Sequence, residues 1–266
     1  MKIKADLHNH PSGNFKKVVE TCRKNLGVGG TLGYVNYADM DLYSKFLKGR
    51  DRDIRDFGNG FYSFKDYVTI LRGQEIPVIC SDGKMGEIVV FGLENNLECH
   101  LSLKETLRIS LENGGINYIP HPFLSDSIGE ELKMDLDLLE YFDALEIYNS
   151  QAGLFDGLGF LDVNQKAQRF YELVGRDYMI GGISSTDRGG IGKSYSLIDG
   201  LDLGCMDSVK ESLKESLSRH KDCFEDEQVA LRGKALMHVG KVIACDNIGA
   251  KIPGVNGLLK KFELVH

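Results

Sequence analysis

Two histidines lie two residues apart near the start of the chain, in the segment "KADLHNHPSG" that covers residues 4–13. Side chains at positions i and i+2 of a β-strand point to the same face, so His8 and His10 can reach one metal ion. Only seven histidines occur in the 266 residues. The pair therefore predicts a metal site at the end of the first strand, and two surface histidines are the alternative that the motif alone leaves open.

Further side chains of the metal-binding types follow at the ends of later predicted strands. Glu75 lies in "LRGQEIP", and Glu87 begins the returning strand "GEIVVFGL". His121 lies between two prolines in "YIPHPF", and Asp187 ends the last predicted strand in "GGISSTDRGG". Each oxygen of a carboxylate such as Glu75 can bind a different cation. Imidazole and carboxylate ligands without thiolate suit zinc, manganese or iron, so we expect divalent cations here.

The hydropathy pattern predicts elements that would place these side chains at one edge of a sheet. Strand patterns and helix patterns alternate about seven times along the chain, which favours a parallel α/β domain. In a closed α/β barrel the chemistry lies at the carboxyl ends of the strands. The link "CSDGKMG" is too short for a helical crossover, so we predict an antiparallel hairpin there. We also predict one continuous helix over residues 130–142 and two final helices after residue 200.

Composition and cysteine usage indicate one globular domain over residues 1–266, with the motifs inside residues 3–200 and C-terminal helices and a tail over 201–266. The chain is 42% hydrophobic and 27% charged, and no linker or repeat divides it. The six cysteines are scattered, which is typical of reduced thiols. No apolar run approaches the about 20 residues of a membrane span, and "MKIKADLHNH" lacks the pattern of a signal peptide. We therefore expect a cytoplasmic protein without a membrane partner.

The charge balance bears on the class of substrate. A formal net charge of −7 argues against an extensive electrostatic grip on duplex nucleic acid. We therefore expect duplex nucleic acid to be an unlikely partner. A small phosphorylated substrate, a nucleotide or the end of an oligonucleotide fits better, and the oligomeric state is not readable.

The ordered motifs resemble those of the polymerase and histidinol phosphatase (PHP) superfamily. The segments "DLHNHPSG", "RGQEI", "GEIVVFGL", "IPHPF", "LEIYNS" and "GGISSTDRGGIGKSY" follow one another as that family's motifs do. The resemblance implies a distorted (β/α)7 TIM-like barrel with metal ions at its C-terminal face and hydrolysis of phosphate esters. It also implies two ligand sets that share Glu75, namely His8, His10, Glu75 and Asp187 for one ion and Glu75, Glu87 and His121 for a second.

Two departures from the family pattern concern its third metal ion. The family's T-D-H motif is "YADMD" here, so Asp39 matches while Met40 stands in place of the histidine. Arg188 stands in place of the last motif's histidine. We expect a two-metal site, with Asp39 or Asp41 retaining a third ion only weakly. Arg188 would then grip a phosphate with its fork of donors, or be a solvated loop arginine.

Further residues are assigned roles around the reacting phosphate. We expect Asp187, Arg188 and Asn149 to act in catalysis, with Asn149 orienting a ligand or the substrate. Lys193 would help to offset charge on the phosphoryl oxygens, and Asp6 would orient an imidazole or the substrate from behind the ligands.

Three functions remain open from the sequence. The leading hypothesis is a metal-dependent phosphoesterase in which the cations activate a water molecule. The second is a catalytically degenerate PHP domain that serves as a binding or scaffold module, which Met40 and Arg188 favour. The third is a metal-dependent amidohydrolase, although that class would lead us to expect a bridging lysine where this chain offers Glu75.

Overall fold

A computed structural model of the protein describes residues 1–40, 42–48, 54–64, 68–157, 162–175, 177–178, 180–187, 190–219 and 223–225. The backbone divides into two units, Met1–Asp226 and Glu227–His266, and all described residues belong to the first. The helix predicted over residues 228–245 lies outside the described residues. The extent of the domain over residues 1–266 stays a prediction.

The strands and helices alternate through most of this unit. The strands are β1 (Lys2–Asn9), β2 (Gly30–Tyr37), β3 (Ile54–Gly58), β4 (Phe61–Phe64), β5 (Val68–Ile79), β6 (Met85–Phe91), β7 (Ile116–Ile119), β8 (Ala144–Asn149), β9 (Gly181–Ser185), β10 (Ser194–Asp199) and β11 (Cys223–Glu225). The helices are α1 (Phe15–Asn25), α2 (Leu42–Leu47), α3 (Leu103–Glu112), α4 (Gly129–Met134), α5 (Ser150–Gly157), α6 (Val163–Val174) and α7 (Met206–Arg219), with a 3-10 helix over Leu136–Tyr141.

The described strands form one mixed sheet in the order β11-β10-β1-β2-β5-β6-β7-β8-β9, with β4 on β5 and β3 on β4. Neighbours pair in parallel from β1 through β2 to β5, and again from β7 through β8 to β9. The strand β6 is antiparallel to both β5 and β7, as the short link between β5 and β6 predicted. The fold is therefore mixed α/β, and the antiparallel β6 and β10 depart from a uniform (β/α)7 repeat.

The sheet curls until its two ends nearly meet. Asn9 at the end of β1 forms a parallel bridge with Asp187, which follows β9. The Asp187 N–H donates to the His8 carbonyl at 2.6 Å, and the His10 N–H donates to the Asp187 carbonyl at 2.8 Å. These bonds close a barrel-like sheet beside the residues predicted to bind metal.

Apolar side chains fill the inside of this sheet and the layers outside it. Alternate residues of β1, namely Ile3, Ala5 and Leu7, pack inside with residues from the other strands. The helix α7 contributes Val209 and Leu213 to the same cluster. Two further clusters lie between the sheet and the outer helices. No helix of the described part of the chain has the length and apolar character needed to span a bilayer.

Strands β3, β4, β10 and β11 and a break in one helix were not predicted from the sequence. The continuous helix predicted over residues 130–142 is interrupted at Asp135, whose φ of −137° and ψ of 84° are not helical. The strand β10 was not predicted, because its polar residues obscure an alternating burial pattern. This strand pairs antiparallel with β1, from Lys2 opposite Asp199 to Ala5 opposite Ser196.

Candidate metal centre

The strand directions bring the predicted ligands to one edge of the sheet. Glu75 on β5 is in register with Tyr37, the last residue of β2. Glu87 lies opposite Pro77, two residues beyond Glu75, because β6 runs in the reverse direction. The start of β6 therefore lies at the same edge as the end of β2.

A β-bulge in β1 aims the first histidine into this edge. Asp6 pairs with Leu32 while Asn9 pairs with Tyr34, so β1 carries one extra residue between them. Leu7 belongs to the apolar cluster inside the sheet, and the ring of His8, the next residue, lies edge-on to Tyr118 of the same cluster. Bulges re-aim side chains in this way and are frequent beside active sites. The alternation of an undistorted strand would have turned Leu7 and His8 to opposite faces.

Three imidazoles converge on the carboxylate of Glu75. The Oε1 atom lies 3.4 Å from His8 Nε2 and 3.2 Å from His121 Nε2. The Oε2 atom lies 3.1 Å from His10 Nε2. The Nε2 atoms of His8 and His10 are 3.2 Å apart. The Oε1 atom of Glu75 thus faces His8 and His121, whereas the Oε2 atom faces His10.

Two more carboxylates complete the cluster. The Oε2 atom of Glu87 lies 3.9 Å from His121 Nε2, and the Oδ1 atom of Asp187 lies 3.8 Å from His10 Nε2. Within the described residues, three sets have ligand atoms that all lie within 4.8 Å of one another, namely His8–His10–Glu75, His8–His121–Asp187 and Glu75–Glu87–His121. The structure therefore brings together all six side chains that the sequence analysis selected as ligands.

Burial makes the ionisation of this cluster interdependent. Burial alone would raise the pKa of Glu75, but the charge of His8 and hydrogen bonds from the neighbouring imidazoles hold it well below its usual value. Burial would lower the pKa of His121, but Glu75 outweighs it and raises the pKa to about 9. Burial, and then the charge of Glu75, raises the pKa of Glu87 to about 8. In the cluster without a cation, Glu87 and His121 therefore keep their protons to a higher pH than usual.

One buried acid in this region, Glu146 on β8, was not selected from the sequence. Its side chain is 0% exposed, and its Oε2 atom accepts the backbone N–H of His121 at 2.5 Å. The amide of Asn149 donates to the same oxygen at 3.1 Å and to Asp187 Oδ2 at 3.1 Å. A signal was present in the sequence, because a glutamate inside the apolar strand "ALEIYN" needs buried partners.

The backbone at two ligand positions is unusual. His121 has a φ of 22° and Asp187 has a φ of 62°, which residues other than glycine rarely adopt. Such conformations cluster at functional sites, where the surrounding structure holds them. Here the hydrogen bonds to Glu146 and to the β1 backbone hold His121 and Asp187 in place.

The chemistry and spacing of the donors fit divalent cations. Two nitrogen or oxygen ligands that are each about 2.1 Å from one ion at a tetrahedral angle lie about 3.4 Å apart. The contacts of Glu75 with His8, His10 and His121 lie between 3.1 and 3.4 Å. The Nε2 atoms of all three imidazoles face Glu75, so a cation bound to its carboxylate would be within reach of these nitrogens. The donor set is nitrogen and carboxylate oxygen, as the sequence predicted for zinc, manganese or iron.

The remaining predicted residues have other surroundings. The carboxylate of Asp6 accepts the N–H groups of Thr186 and Gly192 and the amide of Asn9, so it fixes backbone and does not contact an imidazole. Asp39 is exposed and belongs to none of the three ligand sets found among the described residues. Burial lowers the pKa of the Lys193 side chain, and the backbone N–H of Lys193 donates to the Thr186 hydroxyl. Asp41 and Arg188 lie outside the described residues, so their roles stay predictions.

Comparison with known proteins gives similarity of fold. No family model matches the chain, and no curated protein matches it. The lesion-specific endonuclease PfuEndoQ from Pyrococcus furiosus has a TM-score of 0.52 at 12% identity, over 81% of this chain and 56% of that one. An Endonuclease Q in complex with a 27-mer duplex substrate, with an abasic lesion at the active site, has a TM-score of 0.51 at 13% identity, over 81% and 57% of the two chains. The chain thus spans just over half the length of each.

The second neighbour corrects one expectation from the sequence. The charge balance led us to expect that duplex nucleic acid is an unlikely partner, and this was wrong, because a protein of similar fold binds a duplex substrate. The physical reason is that net charge sums over the whole chain, whereas a binding surface needs only local complementarity.

Proposed function

We propose that this protein is a metal-dependent hydrolase of phosphate esters, and that its substrates are phosphodiesters of nucleic acid, duplex nucleic acid included. The convergence of three imidazole Nε2 atoms on the buried carboxylate of Glu75 is the observation that carries the proposal. The similarity of fold to two endonucleases supports the diester class. The ordered motifs support membership of the PHP superfamily, which is part of this proposal.

His8, His10, Glu75, Glu87, His121 and Asp187 would hold two divalent ions, with Glu75 between them. Divalent cations bound in such sites supply acidification of water and neutralisation of charge on phosphoryl oxygens. Carboxylates without cations would repel a phosphate, so the metal requirement follows from the acids of the cluster.

The exposure of the cluster indicates how a substrate would approach. The side chains of His8 and Glu75 are 0% and 3% exposed, whereas those of His10 and Glu87 are 13% and 14% exposed. A phosphate would therefore enter past His10 and Glu87. Asn149, bonded to Asp187 and Glu146, would keep the Asp187 carboxylate fixed during this approach.

The test is hydrolysis by metal-stripped protein that has been reloaded with Mn²⁺ or Zn²⁺. The substrates are bis(p-nitrophenyl) phosphate, p-nitrophenyl phosphate, and single-stranded and duplex oligonucleotides with and without an abasic site. His8→Ala and Glu75→Ala should abolish turnover. His100→Ala is the matched control, because His100 is an exposed histidine outside the three ligand sets of the described residues.

Metal-dependent diester cleavage that survives in the control and disappears in both site variants would support the proposal. Faster cleavage of the monoester would move the substrate class to small phosphates. Cleavage of no ester by protein that binds metal would refute phosphoester hydrolysis and favour the amidohydrolase or scaffold function.

A further inference from the structure

Glu146 is a buried acid on β8. It belongs to none of the three ligand sets found among the described residues. Its side chain is 0% exposed, so solvent cannot stabilise its charge. A buried carboxylate without donors would cost several kcal/mol or take up a proton. The groups that surround it therefore indicate what it does.

The Oε2 atom of Glu146 lies close to residues of the metal cluster and to Asn149. It accepts the backbone N–H of His121 at 2.5 Å and a side-chain amide N–H of Asn149 at 3.1 Å. The same oxygen lies 3.6 Å from Nδ1 of His8, just beyond hydrogen-bond distance. One carboxylate oxygen therefore faces two of the three imidazole residues of the cluster.

The two nitrogens of His8 face different acids. Its Nε2 atom points to Glu75 and His10, while its Nδ1 atom points to Glu146. A carboxylate 3.6 Å from Nδ1 attracts the imidazole proton to that nitrogen by its charge, which leaves the Nε2 lone pair for a cation. Glu146 can thereby set both the orientation and the tautomer of this imidazole.

The other contacts act on the backbone and on a second acid. The bond to the His121 N–H holds a residue with a φ of 22°, a conformation that would relax without support. Asn149 uses one amide group to bond Glu146 and Asp187 together. Displacement of Glu146 would therefore move ligands that come from β1, from the end of β7 and from the end of β9.

We infer that Glu146 is a positioning residue, which aligns His8 and His121 directly and Asp187 through Asn149 for metal binding. This inference rests on the proposed metal-dependent function and assigns a role outside the six ligands. Removal of a carboxylate behind metal ligands typically weakens metal affinity by about 10- to 100-fold.

The test measures metal binding without reference to turnover. Mn²⁺ affinity is determined by calorimetric titration, and the visible spectrum of bound Co²⁺ reports the arrangement of its ligands. Glu146→Gln keeps an acceptor without the charge and should weaken Mn²⁺ binding by about 10-fold, whereas Glu146→Ala should weaken it by about 100-fold. Both variants should shift the Co²⁺ spectrum, with the shift smaller for the glutamine variant.

Glu131→Gln is the matched control. Glu131 is also a buried glutamate, and it accepts the N–H of Ser81 at 3.2 Å and the Ser81 hydroxyl at 2.7 Å. This variant should lower the melting temperature while it keeps the Mn²⁺ affinity and the Co²⁺ spectrum of the wild type. Should Glu146→Ala not fold, the near-isosteric glutamine variant decides the question.

The outcomes separate this inference from the proposed function. A folded Glu146→Gln protein with wild-type affinity and spectrum would overturn the positioning role alone. Wild-type protein that binds metal but cleaves no ester would overturn the proposed function, while a shifted Co²⁺ spectrum in the variants would still support the positioning role. Wild-type protein that binds neither metal would overturn both.

Discussion

Replacement of Gly33 by alanine is expected to displace the bulge that aims His8. A Cβ atom on Gly33 would lie 2.0 Å from the carbonyl oxygen of Leu7 and 2.5 Å from its carbonyl carbon. Ordinary contact begins at 3.4 Å, so β1 and β2 would have to separate by about 1.4 Å. The clash is with backbone, so no shift of a flexible side chain can relieve it.

This displacement should affect both the stability of the fold and the metal site. Overpacking costs about 1–3 kcal/mol, and a backbone clash belongs at the upper end of that range. For a fold of this size, about 3 kcal/mol lowers Tm by about 6–12 °C. Loss of the groups that hold a metal ligand in place typically weakens metal affinity by about 10- to 100-fold, so a displaced His8 should weaken Mn²⁺ binding by that order.

The assay combines a thermal melt with a Mn²⁺ titration. Gly200→Ala is the matched control, because the nearest atom to its new Cβ, the Met1 carbonyl oxygen, is at the ordinary contact distance of 3.4 Å. A Gly33→Ala protein with the wild-type melting temperature and Mn²⁺ affinity would contradict this prediction. The close approach of β1 and β2 would then not determine where His8 points.

Three further outcomes test other parts of the description. Mn²⁺ binding should release protons and strengthen as the pH rises towards about 9. The reason is that His121 has a pKa of about 9 without a cation and binds metal only when neutral. Heats of Mn²⁺ titration that do not depend on the ionisation enthalpy of the buffer would contradict this. Leu213→Ala in α7 should destabilise the fold by about 2–5 kcal/mol in urea unfolding, because Leu213 is buried in the apolar cluster that contains Ile3 and Leu7, and should leave Mn²⁺ affinity unchanged. Lys84→Ala should leave the midpoint of urea unfolding unchanged, because its ion pair with Asp82 lies on the surface and is screened by solvent; a lowered midpoint would contradict this.

The sequence predicted the elements that carry a strong local pattern. Apolar runs predicted the seven strands of the barrel-like sheet from β1 to β9, apart from β3 and β4, and a short link predicted the hairpin of β5 and β6. It did not predict β10, which is half serine and aspartate and becomes a strand only by pairing with β1. The break at Asp135 was also missed, since its neighbours keep helical spacing of apolar residues.

The candidate site was predictable by residue type and not by geometry. All six selected ligands meet, because strand ends gather at one edge of a parallel sheet. The bulge after Asp6 depends on a close approach between two strands, which periodicity does not encode. Position at a strand end could not indicate the role of Glu146, because this acid lies inside β8 and contacts a ligand residue from another strand.

The closure of the sheet has a consequence for synthesis of the chain. Asp6 accepts the N–H of Thr186, 180 residues later, and β10 covers the free edge of β1. Because the ribosome adds about 5–20 residues per second, Thr186 is synthesised roughly 9–36 s after Asp6. An unpaired strand edge is a template for association with other chains. During translation, chaperone binding is therefore expected on β1, and it should end when β10 has emerged.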